Sequence, residues 1–471
     1  MSFLWKIVAR NILRNRRRSL MTGSAVAAGA MGMLLFGGYV AQIFAGLETA
    51  SVQRNGHLTV FHSGYFLFGP GNPAAYGIDH YRDVMTLIEE DPVLEPMINV
   101  LTPTQSVVGI AGNFSGAIDA SKTFVGEGFI PSDRNRMQQW DELHTGSIKL
   151  PDHRMADEAQ GRGLVGFGLA RMLGLCAPLK LPACPAMPAT ADISPGRVGA
   201  LPDSSLVVLA RQDAAGTAGE SPAGPRLDLL GATASGAPNV VSLAVAGVER
   251  QGVRELDDNF IAMHLSLAQE LVYGRGEHKA TGIVLQLKHT SDMPAARARL
   301  MSLFRQHNLR LEIKDFADLN PFYGQVVGMF SGIFLFIALV MGTIVLFAVV
   351  NTMTMNVLER TNEIGTTRAM GVRPGGIRMQ FMSEGMLIGA LGTAFGTCAA
   401  IALAFAVNHA GLTWSPPGNA SPVPLRISMP GHPPALIAGT WIALVLVATL
   451  AAAIPANRAA RLSVVDALRH I

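Results

Sequence analysis

Charge is the scarcest commodity in this sequence. Of its 471 residues only 15% are Asp, Glu, Lys or Arg, against about 25% in ordinary soluble domains. That shortage excludes a charge-rich disordered regulator. A net charge of +3 excludes a protein that holds nucleic acid through a large positive field, so no nucleic-acid partner is expected. Cysteine is nearly absent, with three residues in all, too few for a disulfide framework. The twelve histidines are scattered without His-Glu-x-x-His or paired-Cys spacing, so no metal site is expected. No Gly-x-Ser-x-Gly elbow occurs, and no other catalytic constellation takes its place.

The missing charge is not spread evenly. Four stretches, Leu20 to Leu47, Val326 to Asn356, Gly385 to Asn408 and Pro434 to Ala456, contain no Asp, Glu, Lys or Arg. Each exceeds the roughly 20 residues that a helix needs to cross a hydrocarbon core, and a charge at the centre of such a helix costs about 2.5–3.5 kcal/mol. They read as four transmembrane helices. The first is too long for the 7–15 residue apolar core of a signal peptide and reads as a retained span. Proton and ion relays use ionisable side chains within the membrane; none lies well inside a span here, which argues against ion-coupled transport.

The remaining charge sets an orientation. Lys6, Arg10, Arg14, Arg16, Arg17 and Arg18 precede the first span, Arg360, Arg368, Arg373 and Arg378 lie between the second and third, and Arg458, Arg461 and Arg469 follow the fourth. The positive-inside rule puts these pieces in the cytoplasm. The expected organisation is a basic cytoplasmic segment 1–19, spans 20–47, 326–356, 385–408 and 434–456, a cytoplasmic coupling loop 357–384, a short external loop 409–433, a cytoplasmic end 457–471, and one large extracytoplasmic domain over 48–325. The inner pieces balance to +9 and segment 48–325 to −7, so near-neutrality hides a basic inside and an acidic outside.

Segment 48–325 is long enough for two subdomains and reads as mixed α+β. Strands are expected around 57–61, 107–110, 123–125, 282–287 and 309–313, with helices over 79–90, 164–175 and 294–307 and regular pattern of unassigned type over 240–248 and 262–271. Residues 176–238, rich in Pro, Ala, Gly and Ser, read as a loop-rich insertion with one strand at 206–209. Cys176 and Cys184 both fall outside the membrane, where an oxidised pair and two free thiols are equally open; Cys398 falls inside the third span. Two strings invite over-reading. Gly116 to Thr123 resembles a phosphate loop, but Ser121 stands where the second glycine belongs. Gly161-Arg-Gly163-Leu-Val-Gly166 spells a dinucleotide fingerprint with no strand before it.

The 357–384 loop is the most informative part of the chain. It runs Glu359-Arg360-Thr-Asn-Glu363-Ile364-Gly365-Thr-Thr-Arg368-Ala369-Met370-Gly371 and reaches Ser383-Glu384-Gly385. Good helix formers lie between Met355 and Met370, with Gly371 as a stop, and a short amphipathic helix there is expected to present Ile364 and its neighbours to a partner. The string resembles the ER-x-x-EIG-x-x-RA-x-G signature of FtsX-like permeases of ABC transporters, the family of MacB, LolC and LolE. The Glu384-Gly385 pair fits the family's third span. So do Ala9 to Asn15, Val245 to Val248, Asp257 to Leu271 and the ending Pro455 to Leu462 with Val465 to Arg469; Val464 departs from the usual Pro.

The resemblance implies an α-helical membrane protein with four transmembrane helices and a large mixed α+β periplasmic domain between the first two. It implies a bacterial inner-membrane permease that is not itself an enzyme and binds no cofactor directly, with ATP and Mg held by a separate cytoplasmic ABC ATPase dimer. A second permease copy or paralogue, membrane lipids, and a periplasmic adaptor or cargo protein are the other partners it implies. Glu359, Arg360, Glu363, Ile364, Gly365, Arg368, Ala369 and Gly371 match the motif and would transmit ATPase movements to the periplasmic domain. The cargo implied is hydrophobic or peptidic, such as a lipoprotein; the alternative is a signal transmitter that regulates a cell-wall hydrolase without transport.

Overall fold

Hydrocarbon offers the backbone no hydrogen-bond partner, so a chain that crosses it must close its own bonds within a helix. The computed structural model describes residues 10–462 except 12, 13, 15, 70–72, 115–119, 144, 146–154, 182–224, 252, 253, 277, 415–422 and 429–433. Among the described residues, four helices are long and apolar enough to cross a membrane, and each contains one of the charge-free runs. The chain divides into two units: Met1–Glu48, Pro321–Trp414 and Pro422–Ile471 in one, Thr49–Asn320 with Ser415–Ser421 in the other.

Helix α1 (Arg16–Asn55) carries the first run. The sheet unit begins with β1 (Leu58–His62), α2 (Tyr81–Glu89) and the long β2 (Ile98–Asn113). Next come β3 (Ala120–Phe129), α3 (Pro131–Gln138), β4 (Arg162–Gly166) and α4 (Phe167–Met172). They are followed by β5 (Arg226–Ala232), β6 (Pro238–Glu249), β7 (Phe260–His264) and α5 (Leu265–Tyr273). Then β8 (Gly282–Leu287), α6 (Met293–Gln306) and β9 (Leu311–Asp315) close the unit.

Pairing resolves this order into two substructures. Strands β9-β1-β8-β2 lie side by side, all neighbours antiparallel; with α2 and α6 they make a split β-α-β-β-α-β unit. Its core joins Leu58, Val60 and Leu285 to Val84, Ile88 and Leu300 of the two helices. Strands β3 to β7, all between β2 and β8, build the second substructure, a ring β3-β7-β4-β6-β5-β2 that returns to β3. The sixteen-residue β2 serves both: its first half pairs with β8, its second with β3, and Ile110 to Gly112 also with β5. Closure leaves that ring without an open edge. Val107, Phe124, Val165, Leu229, Leu243 and Ile261 share its core with Leu267 and Leu271 of α5.

Several expectations need correction. The helix expected over 164–175 is strand as far as Gly166 and helix only over Phe167–Met172. Gly166 is extended, and a Cβ there would strike the Asp257 carbonyl. The glycine string 161–166 is therefore largely strand itself. Ser121 to Thr123 of the phosphate-loop look-alike lie in β3, not in a loop ahead of a helix. The insertion is shorter than 176–238: Leu179 and Leu181 pack on the ring core and 226–232 form β5 within it. The strand expected at 206–209 and Cys184 lie outside the described residues. Cys176 is disulfide-bonded, and Cys398 is free.

The helical unit continues with α7 (Pro321–Glu359), α8 (Thr361–Ala369) and α9 (Pro374–Ala410). A two-stranded β10 (Thr413–Trp414) and β11 (Val423–Pro424) precede α10 (Pro434–Arg461). The short helix expected between Met355 and Met370 appears as the end of α7 and α8, and α9 begins ten residues before Glu384. Close approach of small residues joins these helices, with isolated polar bonds beside it such as Trp441 Nε1 to Thr397 Oγ1 at 3.2 Å. A Cβ on Gly389 would lie 2.7 Å from that of Ala448, and one on Gly392 2.8 Å from that of Val26; Gly385 meets Ala452 and Gly396 meets Ala27 and Ala30 in the same way. Small residues every three or four positions let backbones touch in a medium where apolar burial drives little association.

Two outcomes follow. Gly396→Leu is expected to cost about 1–3 kcal/mol through overpacking, read by denaturant titration of the detergent-solubilised chain, while exposed Gly439, with open space around it, tolerates Ala. In the sheet unit, burial lowers the His57 pKa from 6.5 to about 4. Its Nδ1 accepts from the Leu287 amide at 3.0 Å and its ring meets Trp140 edge-on. Folding thus favours neutral His57: its contribution is complete above pH 6.5 and is lost as pH falls towards 4, by about 3 kcal/mol. Acid melting curves are expected to show this loss, and His57→Gln to flatten it.

Candidate functional site

The only acids between residues 321 and 411 are Glu359, Glu363 and Glu384, and all three gather where α7, α8 and α9 meet. Arg360 stands in the break between α7 and α8 with a non-helical backbone (φ −103°, ψ 15°). Its Nη1 donates to Glu384 Oε1 at 3.1 Å, and the two side chains are 5% and 2% exposed. Asn11 Nδ2 donates to the same carboxylate oxygen at 2.7 Å, and Arg360 Nη2 donates to the Asn11 carbonyl at 3.5 Å. Burying two charges costs several kcal/mol apiece before their attraction is counted. Here the return is incomplete, because Arg360 Nε and Asn356 Oδ1 are buried without a hydrogen-bond partner among the described residues.

Around this pair lies a small apolar cluster of Val357, Ile364, Ile377, Phe381, Ala456 and Ala459. Ile364 and Gly365 are therefore the buried face of α8, which corrects the expectation that Ile364 faces a partner. Arg368 donates to the Leu462 carbonyl next to α10. The outward face carries Asn362, Glu363, Thr366 and Ala369, with Met370 78% exposed beyond it. Gly371 ends the helix with φ 94°. The Val372 amide reaches the Thr367 carbonyl and the Gly371 amide that of Arg368, a termination that needs the left-handed residue glycine supplies. Glu363 in the first turn and Arg368 in the last oppose the helix dipole favourably.

The motif residues thus separate by role. Arg360, Ile364, Gly365 and Arg368 bind α8 to the helical unit, Gly371 shapes its end, and Glu363 and Ala369 remain on its outer face. Glu359 closes α7 and pairs with Arg18 at 2.5 Å. Glu363 pairs with Arg14 at 2.8 Å. Sequence reasoning missed the contacts of Asn11, which stood in the family-like opening Ala9 to Asn15, and of Arg14 and Arg18, which stood among the basic residues that set orientation. Their spacing, one helix face together with Thr22, was the available signal. Among the described residues no group of three His, Cys, Asp or Glu could hold a metal ion.

With this geometry in view, comparison with known proteins is specific. Residues 333–464, from within α7 to just past α10, match the family model of the FtsX-like permease C-terminal domain. Over 172 residues, 36% of this chain and 40% of the relative, the sequence is 24% identical to the lipoprotein-releasing system transmembrane protein LolC of Neisseria meningitidis serogroup B. Over 158 residues, 33% of this chain and 24% of the relative, it is 28% identical to the macrolide export ATP-binding/permease protein MacB of Escherichia coli. The matches span less than half the length of these relatives. The solved periplasmic region of MacB from Actinobacillus actinomycetemcomitans aligns with TM-score 0.32 and 12% identity, over 57% of this chain and 94% of that chain. The match over 333–464 supports the resemblance to FtsX-like permeases, and with the four apolar helices it makes the chain a multi-pass membrane protein.

Removing one partner of a buried pair costs more than removing both. Glu384→Ala is expected to destabilise the chain by about 3–5 kcal/mol by stranding the Arg360 charge, and Arg360→Met with Glu384→Leu to recover most of that loss. Denaturant titration of the three proteins in one detergent checks both.

Proposed function

We propose that this chain is the membrane-spanning, non-catalytic subunit of an ABC transporter of the bacterial inner membrane, with ATP and Mg held on a separate cytoplasmic ATPase dimer. The observation that carries this reading is α8. It is a nine-residue helix inside the matched permease domain, with one face fastened to the helical unit by Ile364 and the Arg360–Glu384 pair and the other open to a partner. A helix so placed passes a push on its outer face directly to α7 and α9, because both ends of the buried pair must move together. Glu363, Thr366, Ala369 and Met370 would meet the ATPase.

The positive-inside distribution supports cytoplasmic ends and a periplasmic sheet unit. Charge-free spans leave no polar path through the bilayer, which favours work done on cargo at or outside the membrane. The relatives named for lipoprotein release and macrolide export point to a hydrophobic or peptidic cargo, and the two-core sheet unit offers more surface for cargo than signal transmission alone requires. The permease would act as a dimer with a second copy or paralogue.

The test is retention of the ATPase. Met370→Glu, at an exposed position whose side chain supports nothing in the fold, is expected to abolish co-purification of an ABC ATPase from membranes and to leave the melting curve unchanged. Undiminished co-purification by Met370→Glu together with Thr366→Arg overturns the assignment of α8.

A further inference from the structure

A helix of nine residues does not hold its shape or direction alone, and α8 has no side-chain cap at its start. Its outer half is met from another quarter. Asn11, Arg14 and Arg18, with Thr22 beyond, recur at helical spacing, so they share one face, and residues 10, 11 and 14 are helical like α1 that follows. Each reaches a different element. Asn11 holds Glu384 of α9 at 2.7 Å, Arg14 grips both oxygens of Glu363 on α8 at 2.8 and 3.0 Å, and Arg18 pairs with Glu359 at the end of α7 at 2.5 Å. Thr22 extends the row to Thr352 at 2.5 Å. Every acid between residues 321 and 411 is thereby engaged by this one face.

We propose that Asn11, Arg14 and Arg18 form a strap that sets the direction of α8, making them positioning residues for its contact with the ATPase. This rests on the reading of α8 as the coupling helix and extends it to the chain's opening residues. The strap is graded. Its Asn11 end is anchored to the buried Arg360–Glu384 pair, while Arg14 and Glu363 are 53% and 58% exposed. Exposed pairs of this kind are weak individually, so the outer end lets go before the inner one. A load on α8 opens Arg14–Glu363 first and leaves the buried pivot intact.

Hydrogen exchange of the full-length chain in detergent tests this without the ATPase. Arg14→Glu and Arg18→Glu are each expected to speed exchange in α8 by about fivefold while β2 and β6 exchange as before. The reciprocal swaps Arg14→Glu with Glu363→Arg, and Arg18→Glu with Glu359→Arg, are expected to restore the wild-type rate. Unaltered α8 exchange in both single variants, or swaps that restore nothing, overturns the strap. If a reversal also speeds β2 and β6, the comparison passes to Arg14→Gln and Arg14→Lys. The strap requires Gln to speed α8 and Lys to leave it unchanged; equal rates overturn it. Loss of the ATPase assignment is read separately, from co-purification with Met370→Glu, so the two ideas fail independently.

Discussion

The cost of an unpaired charge in apolar surroundings governs most of what is seen here. It clears four runs of every Asp, Glu, Lys and Arg, because one such charge at mid-membrane outweighs several favourable apolar residues. The same cost dictates how the exceptions are handled. Glu384, ten residues into α9, is buried, and it is held by both Arg360 and Asn11. Without those donors its charge would be buried and uncompensated, at a cost of several kcal/mol. The pair is thus a weak source of stability and a strong constraint on geometry.

With charge excluded from the spans, small residues take over much of the packing. The glycines of α9 bring α10 close on one side and α1 on the other, through Ala448 and Ala452 in the first case and Val26, Ala27 and Ala30 in the second. Contacts of this kind transmit displacement well, because a backbone touching a backbone has no side-chain rotamer to absorb it. In the sheet unit the organising device is different. One sixteen-residue strand, β2, belongs to two substructures at once. Neither the split β-α-β unit nor the ring can shift its register without disturbing the other, since a one-residue slip would turn every β2 side chain to the opposite face.

Legibility in the sequence tracked how local each feature is. The spans were readable because hydropathy over twenty residues is a local quantity, although α1, α7 and α9 each extend beyond their uncharged runs. Helices α2 and α6 announced themselves by period, with Val84 and Ile88 on one face in the first case. The boundary at Gly166 did not, since the apolar string Leu164 to Leu175 suits a helix throughout, and the strand up to Gly166 is set by pairing with β6 and β7 from far along the chain. Strand β5 was hidden by its Pro- and Gly-rich approach. Ile364 was assigned to the wrong face of α8 because a nine-residue stretch shows too little periodicity to separate inside from outside, and Phe381 and Ala459, which cover it, come from elsewhere in the chain.

By itself the sequence determined the four crossings, the charge asymmetry and the motif that marks the α7–α9 junction. These depend on composition within a window or on residues adjacent in the chain. Only the tertiary structure decided that the ring closes, that Arg360 faces Glu384 rather than a partner, and that Arg14 and Arg18 meet Glu363 and Glu359. The last two pairings join residues more than three hundred positions apart, and even Arg360 and Glu384 stand 24 apart on different helices. Whether an arginine orients a protein in its membrane or fastens a helix depends on which carboxylate the fold brings within about 3 Å of it.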